Sequence, residues 1–298
     1  MASSVSTPLV MPAYAKINLT LEVLGRRPDG YHVVASVMQS IELHDHIGLR
    51  PDETLTLHPD GGALGLADNL VLRAAELLQK AAGVRKGAEI LLEKRVPIAA
   101  GLGGGSSDAA ATLRGLCRLW GLSLSVQDLQ PIAAQLGSDV PFFLRGGTAL
   151  AEGRGERITP LPTLPTHWLI LVTPLLDIPN KTTHLYSRLT PADYTKGEAT
   201  HALARSTSGP LSEDALFNMF EPIAEREFPA VRRWKAKMLA AGAGSVHLAG
   251  SGPTLFAICP DEASAITLSH GLLSSDARVF VTRTVGPVPD DRSRRTDA

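Results

Sequence analysis

This chain of 298 residues has few cysteines and almost no net charge. The two cysteines, Cys117 and Cys259, lie in apolar segments, which predicts buried reduced thiols rather than a disulfide scaffold. The formal net charge of −1 argues against broad electrostatic attraction to nucleic acid or to an anionic membrane. These shortages leave room for a local basic pocket that binds a phosphorylated small molecule.

Long apolar runs are also missing. No run reaches the length of a membrane span, and the first ten residues, MASSVSTPLV, carry no basic residue and no signal-type apolar core. We therefore expect a cytoplasmic protein without a membrane partner. The composition is typical of a globular protein, and the length suits two domains, which we expect at 1–160 and 161–288, with a mobile tail at 289–298.

The residue pattern predicts alternating strands and helices. Residues 12–50 favour extended segments joined by a turn at 25–30, and apolar spacing predicts a helix over 68–83 with Asp68 as its cap. A polar stretch at 190–212 predicts an excursion on the surface. The other predicted elements are a strand at 88–96, helices from Ser107 to Gly121 and from a Ser125–Asp128 capping box to Gly137, a strand at 167–173, a helix at 229–241, strands at 245–249 and 254–259, a helix at 261–274 and a strand at 278–284.

Residues 97–107, PIAAGLGGGSS, place four glycines in five positions directly before an Ala/Leu-rich helix. Glycine permits backbone conformations closed to other residues and lets a ligand approach the main chain. The first N–H groups of a helix lack intrahelical partners and attract negative charge, and Ser106 and Ser107 add hydroxyl donors. The strand-loop-helix context favours a phosphate site over a flexible turn capped by Ser106.

Two commoner phosphate-binding patterns are absent from this loop. A Walker loop requires a lysine after its glycines, and none follows here. The dinucleotide fingerprint G-x-G-x-x-G, started at Gly101, would require glycine where Ser106 stands.

The loop resembles that of the GHMP kinase superfamily, whose P-x-x-x-G-L-G-G-G-S-S motif stands here at 97–107. The stretches PAYAKINL at 12–19 and GSGPT at 250–254 also resemble family motifs. The resemblance narrows to the branch that phosphorylates a cytidine-diphosphate-linked methylerythritol. The stretches that narrow it lie at 15–32, 136–156, 217–222 and 249–258.

The resemblance implies that ATP, with Mg²⁺, phosphorylates the 2-hydroxyl group of this CDP-linked polyol in the non-mevalonate isoprenoid pathway. It implies an α+β fold with an S5-like N-terminal α/β domain, a ferredoxin-like C-terminal domain and a cleft between them. From the net charge we expect no nucleic-acid partner, and the sequence leaves the metal ligands and the choice between monomer and homodimer open. The implied ATP-binding residues are Pro97, Ile98, Ala99, Ala100, Gly101, Leu102, Gly103, Gly104, Gly105, Ser106 and Ser107.

Lys16 and Asp139 are the residues that the resemblance marks as catalytic. Phosphoryl transfer needs a positioned hydroxyl group and stabilised charge, so Asp139 in GSDVPFF would accept the hydroxyl proton. Lys16 interrupts the apolar run AYAKINLTL and would stabilise the attacking oxygen or the transferred group. The alternatives are a helix cap for Asp139 and a solvated strand lysine for Lys16.

The implied substrate contacts lie near these residues or in separate turns. Asn18 lies two positions after Lys16 and shares its face of the strand. Tyr31 and His32 would recognise cytosine by stacking and hydrogen bonding, with a core tyrosine beside a surface histidine as the alternative. A tight turn near phosphate, for which a plain hairpin turn is the alternative, is implied for Gly250, Ser251 and Gly252.

Two other functions stay open on the sequence. A GHMP kinase for mevalonate, homoserine or a sugar would share the loop, but the segments 30–32 and 138–140 argue against it. A nucleotide-binding protein without catalysis would also share the loop, and the presence of both Lys16 and Asp139 argues against that.

Overall fold

The computed structural model describes residues 7–60, 69–176, 178–207, 209 and 211–289. The expected cap Asp68 and residues 290–298 of the expected tail lie outside these ranges. The described chain builds an eight-stranded sheet and a four-stranded sheet, each covered by helices. The ends assigned to the two expected domains, 1–160 and 161–288, stay predictions.

The first sheet is organised by one strand of 21 residues, β3. Its strands are β1 (Leu9–Asn18), β2 (Thr20–Arg26), β3 (His32–Asp52), β4 (Leu55–Pro59), β5 (Gly87–Glu93), β6 (Thr148–Gly153), β7 (Arg157–Pro160) and β9 (Phe217–Asn218). β1 and β2 pair antiparallel with one edge of β3, and β5 and β6 pair antiparallel with the other. β4 lies parallel to β5, β7 antiparallel to β6, and β9 parallel to β2.

Ile90 of the first sheet is buried with Leu78 and Trp120, which belong to two of the four helices that cover this sheet between residues 70 and 143. These four helices are α1 (Leu70–Ala82), α2 (Gly104–Trp120), α3 (Val126–Leu136) and α4 (Val140–Phe143). The predicted ends at Ser125 and Gly121 are confirmed, whereas α2 begins at Gly104 and not at the predicted Ser107. The capping box of Ser125 and Asp128 starts α3, and Gly121 ends α2 in the left-handed conformation. Asn69 caps α1 by accepting a bond from the Val71 N–H at 3.0 Å.

The second sheet has the order β10-β11-β8-β12, and all neighbours are antiparallel. Its strands are β8 (Trp168–Pro174), β10 (His247–Leu248), β11 (Leu255–Cys259) and β12 (Ala277–Arg283). Its helices are α7 (Glu221–Glu227), α8 (Pro229–Ala240) and α9 (Glu262–Leu272). The β-α-β-β-α-β order read from the sequence is therefore present.

The segment at 190–212 lies largely on the surface, as its polarity predicts, but one helix within it is anchored to the first sheet. It contains most of the link between β8 and β9, a link that includes α5 (Lys181–Ser187), α6 (Glu198–Ser206) and 3₁₀ turns at Pro191–Asp193 and Glu213–Ala215. α6 packs on the first sheet, where the fully buried Thr200 donates its N–H to the Glu22 carboxylate at 2.8 Å. Polar groups that satisfy one another can be buried, which residue polarity alone does not reveal.

Two composition-based points can be compared with the structure. Cys117 and Cys259 are buried free thiols, as expected. Within the described ranges, none of the helices combines the length and apolar character that crossing a membrane requires.

Asn218 on β9 joins the two sheets. Its side-chain amide donates to the carbonyl oxygens of Leu248 and Gly250, each at 2.8 Å, and its oxygen accepts from the Phe220 N–H at 3.0 Å. The side chain is 5% exposed, so water does not compete for these bonds. Because β9 is hydrogen-bonded to the first sheet, Asn218 fixes the 248–250 segment relative to that sheet.

Replacing Asn218 by alanine should lower the free energy of unfolding by about 2–4 kcal/mol, because three buried backbone groups lose their partner. Urea unfolding followed by circular dichroism measures this. Asn69→Ala is the control, since it removes one helix cap and should cost about 1 kcal/mol. A loss for Asn218→Ala no larger than that of the control would contradict the assigned role.

Candidate active site

Two cavities adjoin the glycine-rich loop. The loop cavity, of about 400 Å³, is bounded by residues 97–106 and by side chains from α1, α2 and the end of β5. The cleft cavity, of about 520 Å³, is bounded by β1, β3, α5 and the 250–251 turn. Ala99, Gly101 and Gly103 line both, so the two cavities share one wall.

The loop cavity contains most of the residues expected to bind nucleotide. Leu102 and Ser107 are the exceptions, because their side chains line neither of the two cavities. Leu102 is 1% exposed in the core, and the Ser107 hydroxyl donates to the Tyr14 carbonyl oxygen at 2.7 Å. The Ser107 side chain thus anchors α2 to β1 and does not add the phosphate donor that we expected. The residues that do line the cavity are Pro97, Ile98, Ala99, Ala100, Gly101, Gly103, Gly104, Gly105 and Ser106.

Glycine is required at position 101 for two reasons. Its φ of +85° lies in the left-handed region, and a side chain there would overlap the carbonyl oxygen of Ala249. The loop is held further by the Lys16 N–H, which donates to the Leu102 carbonyl oxygen at 3.0 Å. The loop is therefore fixed against β1 on one side and against the 249–252 turn on the other.

Lys16 and Asp139 meet at the wall between the cavities. The Lys16 ammonium, 5% exposed, lies 3.6 Å from the Asp139 carboxylate and donates to the Asn18 side-chain oxygen at 2.7 Å. Asn18 in turn donates to the Ser36 hydroxyl at 2.7 Å, which fixes its orientation. Asp139 directly precedes α4 as its N-cap residue but makes no side-chain capping bond, so its carboxylate is left to face the cleft cavity.

The other expected substrate contacts divide into two groups. Asn18, Gly250 and Ser251 line the cleft cavity, and Gly252 closes the tight turn by donating its N–H to the Ala249 carbonyl oxygen at 2.8 Å. Gly252 itself does not line that cavity.

Tyr31 and His32 do not line the cleft cavity, but each contacts a residue that does. The Tyr31 ring is 53% exposed and lies 4.9 Å from the Arg154 guanidinium, which does line the cavity. The His32 ring packs 4.9 Å from the ring of Tyr186, another lining residue. Burial, with a smaller contribution from the Arg26 charge, lowers the pKa of His32.

A charged triad behind the loop was not predicted. The Lys94 ammonium lies between the Asp45 and Asp108 carboxylates, at 2.7 Å from Asp108, and Lys94 and Asp108 line the loop cavity. Asp45 also accepts the Val96 N–H at 2.8 Å, which orients the chain entering the loop. Burial raises the pKa of Asp108 despite the opposing charge of Lys94. The sequence feature that could have indicated this triad is the charged pair Lys94-Arg95 at the end of an apolar strand.

Two further lining residues, Lys181 and Tyr186, belong to α5 and were also missed. Burial, followed by the negative charge of Asp139, raises the pKa of the Tyr186 phenol. The lining of the cleft cavity thus carries three cationic side chains and one carboxylate among the described residues: Lys16, Arg154, Lys181 and Asp139. This excess of positive charge suits an anionic ligand.

Two protein-family models match this chain, and the matched ranges contain residues of the site. The model of the GHMP kinases N terminal domain matches residues 69–147, and that of the GHMP kinases C terminal matches residues 199–275. The first range contains the loop and Asp139, and the second contains the 250–252 turn. The two matches define a GHMP kinase.

A relative with a similar sequence over nearly the whole chain shows which GHMP kinase family this chain belongs to. The 4-diphosphocytidyl-2-C-methyl-D-erythritol kinase of Dehalococcoides mccartyi is 43% identical over 282 residues, which cover 94% of this chain and 99% of the relative. The chain belongs to the GHMP kinase superfamily and, within it, to the family of 4-diphosphocytidyl-2-C-methyl-D-erythritol kinases.

Solved structures agree with the fold. A crystal structure of 4-(cytidine 5'-diphospho)-2C-methyl-D-erythritol kinase superposes with a TM-score of 0.77 at 36% identity, covering 93% of this chain and all of that one. A homoserine kinase from Cytophaga hutchinsonii gives a TM-score of 0.71 at 19% identity, over 96% of this chain and 97% of that one, which shows the fold alone. The predicted family and the α+β, two-domain fold class are confirmed.

Replacing Gly101 by alanine should destabilise the fold and abolish nucleotide binding, because the new methyl group would overlap the Ala249 carbonyl oxygen. Gly83→Ala is a matched control, since Gly83 also has positive φ but open space around it. The control should cost about 1–2 kcal/mol from backbone strain alone. Thermal unfolding and titration with an ATP analogue measure both effects, and equal behaviour of the two variants would contradict the packing argument.

Proposed function

We propose that this chain transfers the γ-phosphoryl group of ATP to the 2-hydroxyl group of 4-diphosphocytidyl-2-C-methyl-D-erythritol, a step of the non-mevalonate isoprenoid pathway. The observation that carries this proposal is the Lys16–Asp139 pair, held 3.6 Å apart beside the wall that the two cavities share. ATP would occupy the loop cavity and the polyol would occupy the cleft cavity. The reacting groups then meet beside this pair.

The pair supplies what phosphoryl transfer requires. The acceptor oxygen forms a bond to the γ-phosphorus, the bond from that phosphorus to the β-phosphate oxygen breaks, and ADP leaves. Asp139 takes the proton released by the hydroxyl group, while the Lys16 ammonium stabilises charge on the attacking oxygen. The Asn18 bond holds Lys16 in position for this task.

The cleft cavity also fits the remainder of the acceptor. Its cations, Lys16, Arg154 and Lys181, outnumber its one carboxylate among the described lining residues, which favours a diphosphate. Tyr186 supplies aromatic surface within the cavity, and Tyr31 lies at its rim beneath Arg154. We propose that Tyr31 and His32 assist cytosine recognition, His32 by supporting the Tyr186 ring against which it packs.

Magnesium would enter with the nucleotide. The described residues contain no group of three or more His, Cys, Asp or Glu side chains that could hold a metal ion alone. Mg²⁺ bound to ATP needs only one or two protein oxygens, and the Ser106 hydroxyl and the Asp108 carboxylate on the loop cavity fit that need. One carboxylate oxygen of Asp108 is buried without a hydrogen-bond partner among the described residues. The ion would neutralise charge on the phosphates.

The test of this function is a panel of acceptors incubated with the protein, Mg²⁺ and radiolabelled ATP. We expect transfer to the CDP-linked methylerythritol and little or none to free methylerythritol, homoserine or mevalonate, which lack the diphosphate that the cationic cleft favours. Activity on homoserine or mevalonate alone would contradict the proposed substrate. Absence of transfer to every acceptor, with ATP still bound, would favour a nucleotide-binding protein without catalysis.

Asp139→Asn should lower kcat by about 10²–10⁴-fold, because the amide keeps the shape of the carboxylate but takes no proton. The KM for ATP should stay unchanged, since Asp139 lines the cleft cavity and not the loop cavity. Steady-state kinetics with the CDP-linked acceptor measures both constants. Asp214→Asn, an exposed aspartate outside both linings, is the matched control and should behave as the parent. Parental turnover in Asp139→Asn would remove the base assignment.

A further inference from the structure

Lys181 places a second buried ammonium group in the cleft cavity, beside Lys16. The residue is 7% exposed, and its ammonium donates to the Ala99 carbonyl oxygen at 2.7 Å. An ammonium group has three N–H donors, and no carboxylate of the described ranges forms an ion pair with this one. A buried cation without a counter-charge is costly, so its retention calls for a ligand that supplies the missing negative charge.

The backbone at both ends of this contact is strained. Ala99 has φ of +54° and Asn180, directly before Lys181, has φ of +52°. They are the non-glycine residues of the described chain that adopt positive φ. Such conformations cost about 1–3 kcal/mol each and persist where the surroundings impose them, commonly at functional sites. The strain therefore coincides with the bond that joins α5 to the loop.

The start of α5 is also fixed to the 250–252 turn. The Thr182 hydroxyl lies 2.9 Å from the Ser251 hydroxyl, so α5 contacts the loop through Lys181 and the 250–252 turn through Thr182. Ala99, the partner of Lys181, belongs to the wall shared by the two cavities. The ammonium group is thus held on the cleft side of the wall that the two cavities share.

The electrostatic surroundings favour an anion at this point. Burial, with a smaller contribution from the Lys16 charge, lowers the pKa of Lys181 to about 7. The other titratable or charged side chains on the cavity lining are Lys16, Asp139, Arg154 and Tyr186 among the described residues. Asp139 is already paired with Lys16 and does not compensate Lys181. A phosphoryl group arriving beside Lys181 would supply the counter-charge.

We propose that Lys181 is a catalytic residue that contacts the phosphoryl group during its passage from ATP to the acceptor. The proposal rests on the kinase activity proposed above. Lys16 stabilises the attacking oxygen beside Asp139, whereas Lys181 stabilises the equatorial oxygens of the phosphoryl group as one phosphorus–oxygen bond forms and the other breaks. Lys181 thereby contacts the transferred phosphoryl group itself. It does not serve only to stabilise the fold or to bind the diphosphate of the acceptor.

The kinetic test compares the parent with Lys181→Met and with Lys196→Met, which removes an exposed lysine outside both cavity linings. We expect kcat of Lys181→Met to fall by about 100-fold or more, while the KM for the CDP-linked acceptor changes little. Lys196→Met should match the parent. A large rise in that KM at unchanged kcat would overturn the proposal in favour of a diphosphate anchor. Unchanged kinetics would overturn it outright.

Two further measurements, rescue of kcat by an added amine and the unfolding temperature, distinguish a catalytic role of Lys181 from a purely structural one. Added ethylamine should restore part of the lost kcat in Lys181→Ala, and failure to restore any in the folded variant counts against the proposal. Lys181→Met should unfold at a temperature no lower than the parent at pH 6, because it removes the burial cost of the ammonium. A clear fall in that temperature would indicate a purely structural role.

The pH dependence of stability has a defined sign. The folded-state pKa of Lys181, about 7, is below the unfolded value near 10.5, so between these values the unfolded chain binds the extra proton. Parent stability should therefore rise relative to Lys181→Met as the pH increases from about 7 to about 10. A parent that loses stability relative to the variant over that window would contradict the assigned burial cost.

The two proposals fail in distinguishable ways. If the parent transfers no phosphoryl group to the CDP-linked acceptor, the proposed function fails. If the parent is active and Lys181→Met is equally active, the function stands and the role of Lys181 is refuted.

Discussion

The contact between Gly101 and the 249–252 turn is made backbone to backbone, and the geometry of both cavities depends on it. A side chain at position 101 would overlap the Ala249 carbonyl oxygen, so the two segments approach this closely only through glycine. One segment comes from the first sheet's loop and the other from the second sheet. Because the Leu102 carbonyl oxygen also accepts the Lys16 N–H, this contact fixes the position of Lys16 relative to the shared wall.

Charge is distributed differently in the two cavities. In the loop cavity, Lys94 is compensated by the Asp45 and Asp108 carboxylates, so that the triad is mainly a brace for the chain that enters the loop. There the helix start and its glycine backbone are left to bind phosphate. In the cleft cavity, Lys181 has no counter-charge among the described residues, and Lys16 shares one carboxylate. The uncompensated charge thus lies on the side where the diphosphate and the moving phosphoryl group would be received.

Features of the fold that depend on neighbouring residues could be predicted from the sequence, whereas contacts between residues far apart in the chain could not. The capping box at Ser125 and the left-handed Gly121 act within a few residues, and the loop motif is contiguous. By contrast, the contact of Thr200 with Glu22 joins residues far apart in the chain, as does the pairing of Lys94 with Asp45. Asp139 also fitted a helix cap from its neighbours alone, and only the fold shows that the carboxylate makes no such bond. Lys181 was missed because its polar segment carries no pattern that marks a buried site.

The wall shared by the two cavities is a single thickness of main chain at residues 99–103. A ligand that reaches across it can therefore occupy both cavities at once, the proposed ATP site and the proposed acceptor site. Joining two binding groups in one molecule turns the second binding event into an intramolecular one and can raise the overall affinity by about 10²–10⁴-fold. A bisubstrate inhibitor built across this wall would use both cavities through one molecule.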